Sequence, residues 1–133
     1  VEKQPNLKEK LDKKFSMFIR LRVTMPNGYF CCISCGQVKP FKQADCGHYI
    51  NRQHMRTRFD EMNCNAQCRH CNRFMEGNIQ SYRRRLVAKY GEKRVLLLES
   101  KQHDYRNYSD FEYKELIKHY QKEVLRLKKE KGL

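Results

Sequence analysis

No apolar run in this 133-residue chain approaches the 18 or so residues needed to cross a bilayer, and no signal-peptide core precedes the first polar segment. The longest apolar run of note, Val95-Leu96-Leu97-Leu98, is a short helical or core segment. These absences argue against a membrane-spanning helix in this stretch, and a cytosolic setting is the expectation. Acidic residues are also scarce, 15 against 29 Lys and Arg, which leaves a net charge of +14 and favours a polyanionic partner over a small neutral ligand. Hydrophobic residues make up only 39%, below the roughly 45–50% of ordinary globular chains, so an internal staple is expected. A paired disulfide framework fits poorly, because the cysteines number seven, an odd count, and a reducing compartment keeps them free. No internal repeat, flexible linker or base-reading element is visible.

The sequence organises as one α+β domain over residues 1–133. Residues 1–28 hold an amphipathic helix with Leu7, Leu11, Phe15, Phe18 and Leu21 at helical spacing, stopped by Pro26-Asn27-Gly28. Residues 29–78 hold extended segments at Tyr29–Cys32 and Pro40–Ile50 joined by a cysteine knuckle, a polar loop from Asn51 to Met62, and a short helix starting near Gln67 or Cys68 and ending by Gly77. Residues 79–133 hold helices at Ile79–Tyr90, Lys93–Gln102 and from Ser109 or Asp110 onward, with a fraying lysine-rich tail. The last helix gathers Phe111, Tyr113, Leu116, Ile117, Tyr120, Val124 and Leu127 on one face, which serves either packing on the first helix or a homodimer.

Two CxxC pairs carry the strongest chemical signal. Cys32-Ile-Ser-Cys35 and Cys68-Arg-His-Cys71 supply four thiolates, and Zn²⁺ accepts such a set in a tetrahedron at about 2.3 Å per sulfur. Cys46 and Cys64 read as small buried fillers; Cys31 does too, or replaces Cys32 by a slip of one position. Between the pairs stand Asp45-Cys46-Gly47-His48-Tyr49 and Asn63, and Asn72 follows Cys71 directly.

This order, extended by Arg58-Phe59-Asp60-Glu61, Gln67-Cys68, Gly77-Asn78 and Tyr82-Arg83, resembles the NinG/Rap recombination endonucleases of phages and prophages, within the HNH or ββα-metal nucleases. The likeness covers residues 30 to 100. It implies a zinc-braced ββα-metal core surrounded by helices, and a metal-dependent endonuclease that cuts branched DNA, such as a Holliday junction or D-loop, leaving 5′-phosphate and 3′-hydroxyl ends. Under that reading His48 is the general base, Asn63 orients it, and Asp45 and Asn72 hold catalytic Mg²⁺ or Mn²⁺ beside the structural zinc.

The side chains suit those roles. A histidine with an ordinary value near 6.5 takes a proton from water at neutral pH, and carboxylate and amide oxygens are the ligands that hard cations prefer. One departure stands out: Asp45 and His48 are three apart, so a regular strand turns them to opposite faces. A bulge at Gly47 would realign them; otherwise His48 becomes the ligand. Arg52, Arg56, Arg58, Arg69 and Arg73 are the expected phosphate contacts, with Arg83-Arg84-Arg85 as a second cluster or a solvated helix face. Recombination proteins are candidate partners. Two rival classes stay open: a non-catalytic zinc module that binds DNA, and an HNH enzyme that cuts plain duplex at a defined site.

Overall fold

The computed structural model describes residues 6–133, which form five α-helices and two small antiparallel sheets. Helix α1, Leu7–Arg22, begins where Asn6 accepts the Glu9 N–H at 2.8 Å, a side-chain cap on the otherwise unpartnered first turn. Its apolar spacing buries Leu11, Phe15, Phe18, Ile19 and Leu21, at about 1.5–3 kcal/mol for each large side chain removed from water. The chain then turns at Met25–Gly28, where Gly28 adopts φ +87°, a conformation that other residues rarely take.

Strands β1, Tyr29–Cys31, and β2, Val38–Pro40, pair across the cysteine knuckle as expected. The longer extended stretch does not run on unbroken to Ile50. After a 3-10 turn at Phe41–Gln43, strand β3, Ala44–His48, pairs with a strand that the sequence did not betray, β4, Cys64–Cys68. Its pattern, Cys-Asn-Ala-Gln-Cys, is buried at every position. Asn65 and Gln67 survive there because each finds partners: Asn65 donates to the Tyr82 hydroxyl at 3.2 Å, and Gln67 to Ser34 Oγ at 2.8 Å.

The short helix therefore does not start at Gln67 or Cys68. It is a π-helical turn, His70–Phe74, following the end of β4. Glu76, Gly77 and Asn78 then all adopt positive φ, so the chain reverses sharply into α3, Ile79–Tyr90. The loop after β3 also contains one helical turn, α2, Met55–Arg58.

Helices α3 and α4, Glu92–Ser100, form a small pair around Tyr82, Leu86 and Val95. Helix α5, Asp110–Lys131, opens with a reciprocal capping box between Ser109 and Glu112. Its Tyr120, Val124 and Leu127 pack on α1, so the apolar face is occupied within the chain; Phe111 lies off that face and is exposed. The lysine-rich tail does not fray. Lys131 Nζ donates to the carbonyls of Leu21, Arg22 and Thr24 at 2.7–2.9 Å, capping the end of α1 with a cation where the helix dipole is negative. No helix among the described residues is long and apolar enough to cross a membrane.

Candidate metal centre and cleft

The β3–β4 hairpin positions two chemically distinct sites. At its Ala44–Cys68 end, the sulfurs of Cys32, Cys35, Cys68 and Cys71 lie within 4.8 Å of one another, and those of Cys35 and Cys68 are 3.9 Å apart. Cys68 ends β4 and Cys71 sits in the π-helical turn, while Cys32 and Cys35 come from the knuckle. Cys31 stands outside the set, with Sγ against the Gly36 carbonyl at 3.3 Å.

The surroundings suit thiolates. Cys32 Sγ accepts the backbone N–H groups of Ser34 at 3.4 Å and Cys68 at 3.3 Å, and Cys71 Sγ accepts from Asn78 Nδ2 at 3.4 Å. Burial alone would push the Cys32 thiol up, but these backbone hydrogen bonds outweigh it and hold the thiol below its ordinary value. Burial pushes Cys71 up and takes Cys68 to about 12. Four sulfurs so close cannot all ionise without a cation between them, and a set of four cysteine ligands fits zinc. The cluster can thus hold a structural metal.

The second site is a cleft of ≈ 580 Å³ along β3, whose walls include Asp12, Phe15 and Ser16 of α1 and Glu76 and Gly77 of the turn before α3. Asp45, His48, Arg52, Asn72 and Arg73 all line it. The strand register is unbroken from Ala44↔Cys68 to His48↔Cys64, so the bulge anticipated at Gly47 is absent. Glycine is needed there for another reason. A Cβ would sit 2.2 Å from Gln67 Oε1. Asp45 and His48 do leave opposite faces of the strand, yet both border the same cleft.

Asp45 and Asn72 converge: Asn72 Nδ2 donates to Asp45 Oδ2 at 3.0 Å. Arg73 also holds this carboxylate through both oxygens, Nε to Oδ2 at 2.9 Å and Nη2 to Oδ1 at 3.0 Å. The Arg73 side chain is 55% exposed against 13% for Asp45, so the guanidinium has room to swing away.

His48 Nε2 lies 3.0 Å from the Arg58 carbonyl. A carbonyl only accepts, so Nε2 carries the proton and the lone pair rests on Nδ1. Burial holds the imidazole below its ordinary value of 6.5, opposed by that hydrogen bond and aided by the Arg58 and Arg52 charges. The ring is neutral at pH 7.

Asn63 is fully buried and ties the loop over His48. Its Oδ1 accepts the Ile50 N–H at 2.8 Å, and its Nδ2 donates to the carbonyls of Ile50 at 3.0 Å and Thr57 at 3.1 Å. Its bonds reach the carbonyl of Thr57, the residue before Arg58, and not the imidazole.

The arginines divide. Arg58 is not a surface phosphate contact: its side chain is 7% exposed, bonded to Asp12 at 2.5 and 3.0 Å and to the Arg52 carbonyl. Arg52 is exposed at the cleft rim, 3.8 Å from Asp12. Arg56 is half-buried on α2, and Arg69 is exposed with Nη2 on the Lys42 carbonyl at 2.8 Å. Of the Arg83–Arg85 cluster, Arg83 is paired with Glu99, which also accepts from the Tyr49 hydroxyl, and Arg85 lies over Gly36. Arg84 stays exposed, bonded to Ser81 Oγ at 3.2 Å.

Sequence reasoning missed Asp12 and Glu76. Asp12 is one acidic residue among the lysines of α1, and only the fold brings it to Arg58; Glu76 reaches the cleft rim through a positive-φ turn with no local signature.

Among known proteins, residues 1–130 match the model of a family described as Bacteriophage Lambda NinG protein. Over 76 residues the chain is 38% identical to Protein ninG of Escherichia phage 933W and 37% identical to Protein ninG of Escherichia phage lambda; each match covers 56% of this chain and 37% of the relative. Over 70 residues it is 40% identical to Protein ninG of Salmonella phage P22, covering 52% of this chain and 34% of the relative. The matched segment is thus little more than a third of these relatives' length. No solved structure matches the chain.

Proposed function

The chain belongs to the NinG family, and we propose that it is a metal-dependent endonuclease of HNH type that hydrolyses phosphodiester bonds in branched DNA during phage or prophage recombination. One observation carries this reading: a neutral imidazole with its lone pair on Nδ1 and a carboxylate–amide pair, Asp45 and Asn72, line a single cleft beside a four-cysteine cluster. The order β3, β4, short helix agrees with the ββα arrangement that such a nuclease requires.

In that cleft His48 takes a proton from water at Nδ1, while the Arg58 carbonyl holds Nε2–H and stabilises the charged ring that results. Asn63 keeps that carbonyl in place through its bond to Thr57. Asp45 and Asn72 would seat Mg²⁺ or Mn²⁺, which when bound neutralises phosphate charge and stabilises the departing 3′-oxygen. Asp12, Asp45 and Glu76 all border this cleft, Asp12 paired with Arg58 and Asp45 with Arg73, so oxygen ligands for a hard cation are at hand once Arg73 swings away. Arg73, released from Asp45, is placed to meet the phosphate, and Arg52 and Arg69 extend the basic rim. Backbone contacts of this kind favour recognition by shape, with affinity that falls steeply with salt.

The rival reading, a zinc module that binds DNA without cutting it, is favoured by one specific feature: the Arg73 guanidinium holds both Asp45 oxygens. Incubation with a four-way junction and with linear duplex in Mg²⁺ or Mn²⁺ separates the readings. The nuclease cuts near the branch, and His48→Ala lowers the rate by about 10²–10⁴-fold while binding persists. Binding without cleavage in either metal would establish the module, and cutting of the linear duplex at one sequence would indicate a site-specific enzyme.

A further inference from the structure

Apart from the four-cysteine set, the described residues contain one more cluster of metal-ligating side chains: Cys46, His48 and Cys64, whose donor atoms lie within 4.8 Å of one another. The strand register brings them together. Cys46 and His48 are two apart on β3 and so share a face, and Cys64 lies directly across from His48 on β4. Cys64 is fully buried, whereas Cys46 and His48 are half-buried and border the cleft. We propose that Cys46, His48 and Cys64 form a second metal site for a single thiophilic cation such as Zn²⁺, with a fourth position open to the cleft.

Charge balance supports it. Two thiolates and one neutral imidazole around a divalent cation sum to zero, so the dry floor of the site carries no net charge once the two thiol protons leave to solvent. Burial and the neighbouring Cys46 push the Cys64 thiol well up, only partly opposed by Arg22, whose Nη2 rests on the Cys64 carbonyl at 2.8 Å, so this thiol gives up its proton only in exchange for a cation. The Arg58 carbonyl holds His48 Nε2–H at 3.0 Å and lies 3.5 Å from Cys64 Sγ, so the nitrogen left to bind a cation is Nδ1. Two sulfurs and a nitrogen select a soft or borderline cation over Mg²⁺ or Mn²⁺, which the oxygen ligands at Asp45 and Asn72 suit better.

The consequence follows from the single lone pair of a neutral imidazole. Bound to a cation, His48 has none left for water. This inhibitory role rests on the nuclease reading, but the binding itself does not. Chain holding one zinc is titrated with Co²⁺, reading the sulfur-to-cobalt charge-transfer absorption together with retained zinc by elemental analysis. The expected result is one equivalent of Co²⁺ bound while zinc stays, with a thiolate signature that Cys46→Ala and Cys64→Ala each abolish. Cys46→Ala, at a half-buried position, keeps the test interpretable if the buried Cys64→Ala fails to fold. Failure of the parent to take up Co²⁺ without losing zinc, or an unchanged thiolate band in Cys46→Ala, would overturn the site. On junction DNA, excess Zn²⁺ should suppress cleavage by the parent at least tenfold more than cleavage by Cys46→Ala; equal suppression would remove the inhibitory role and leave the site.

Discussion

At its Ala44–Cys68 end the β3–β4 hairpin is gathered by four cysteines, whereas at its His48–Cys64 end it is held by the buried amide of Asn63, the Arg58–Asp12 pair and the apolar α1–α5 core. The first end has almost no hydrophobic mass of its own; Phe30, Ala44 and Ala66 are its main apolar contribution. The second rests on Phe15, Phe59 and Tyr120, packed edge to face at ring separations of 5.0–5.7 Å. A small basic chain with a modest apolar content thus sets a cysteine cluster able to hold a metal where packing is thin, and relies on packing where helices are long. The cleft lies between the two and depends on both.

The largest effect expected is at the cysteine end. Cys71→Ala, or stripping zinc with a chelator, should remove on the order of 10 kcal/mol of coordination energy and release the knuckle and β4, while α1 and α5 keep their amide protection in hydrogen exchange. Simultaneous loss of protection in α1 and α5 would break the contrast. At the other end, Asn63→Ala strands the Ile50 and Thr57 backbone groups, and urea unfolding should report a loss of about 3 kcal/mol with zinc content unchanged. Arg58→Met should cost less, about 2 kcal/mol in the same assay, because Asp12 is partly solvated once its partner is gone.

The smallest effect is in pH dependence. Burial holds His48 below 6.5, so the folded chain resists protonation more than the unfolded one; its contribution to stability is complete above pH 6.5 and falls away as pH drops from there toward the folded value. Thermal unfolding of the parent should therefore lose ground to His48→Asn in that window, and parallel curves would show that the imidazole is not buried at a cost.

Much of the helical shell was legible in sequence. Ile79–Tyr90 followed from a helical run closed by Gly91, and the start of Asp110–Lys131 from a cap at Ser109 or Asp110 with one apolar face beyond it, because caps and periodicity are local signals. The four cysteines were legible from spacing alone, and their convergence appears directly in the fold. Strand β4 was not legible, since Asn65 and Gln67 look like loop residues until Tyr82, Ser34 and Gly77 arrive from distant parts of the chain to accept from their amide N–H groups. Arg58 reads as one more loop arginine for the same reason: nothing near it in sequence announces Asp12, 46 residues earlier. Asp45 and His48 border one cleft along β3 although the register between them is unbroken and holds no bulge, a juxtaposition that their spacing did not announce.

If the two ends of the hairpin present a hard-cation seat and an imidazole to one cleft, Mn²⁺ bound there broadens side-chain NMR signals from both ends. Substoichiometric Mn²⁺ should broaden the His48 ring and the Asn72 amide together, and Asp45→Asn should abolish both effects. Broadening of Asn72 without His48, or broadening that survives Asp45→Asn, would contradict that arrangement.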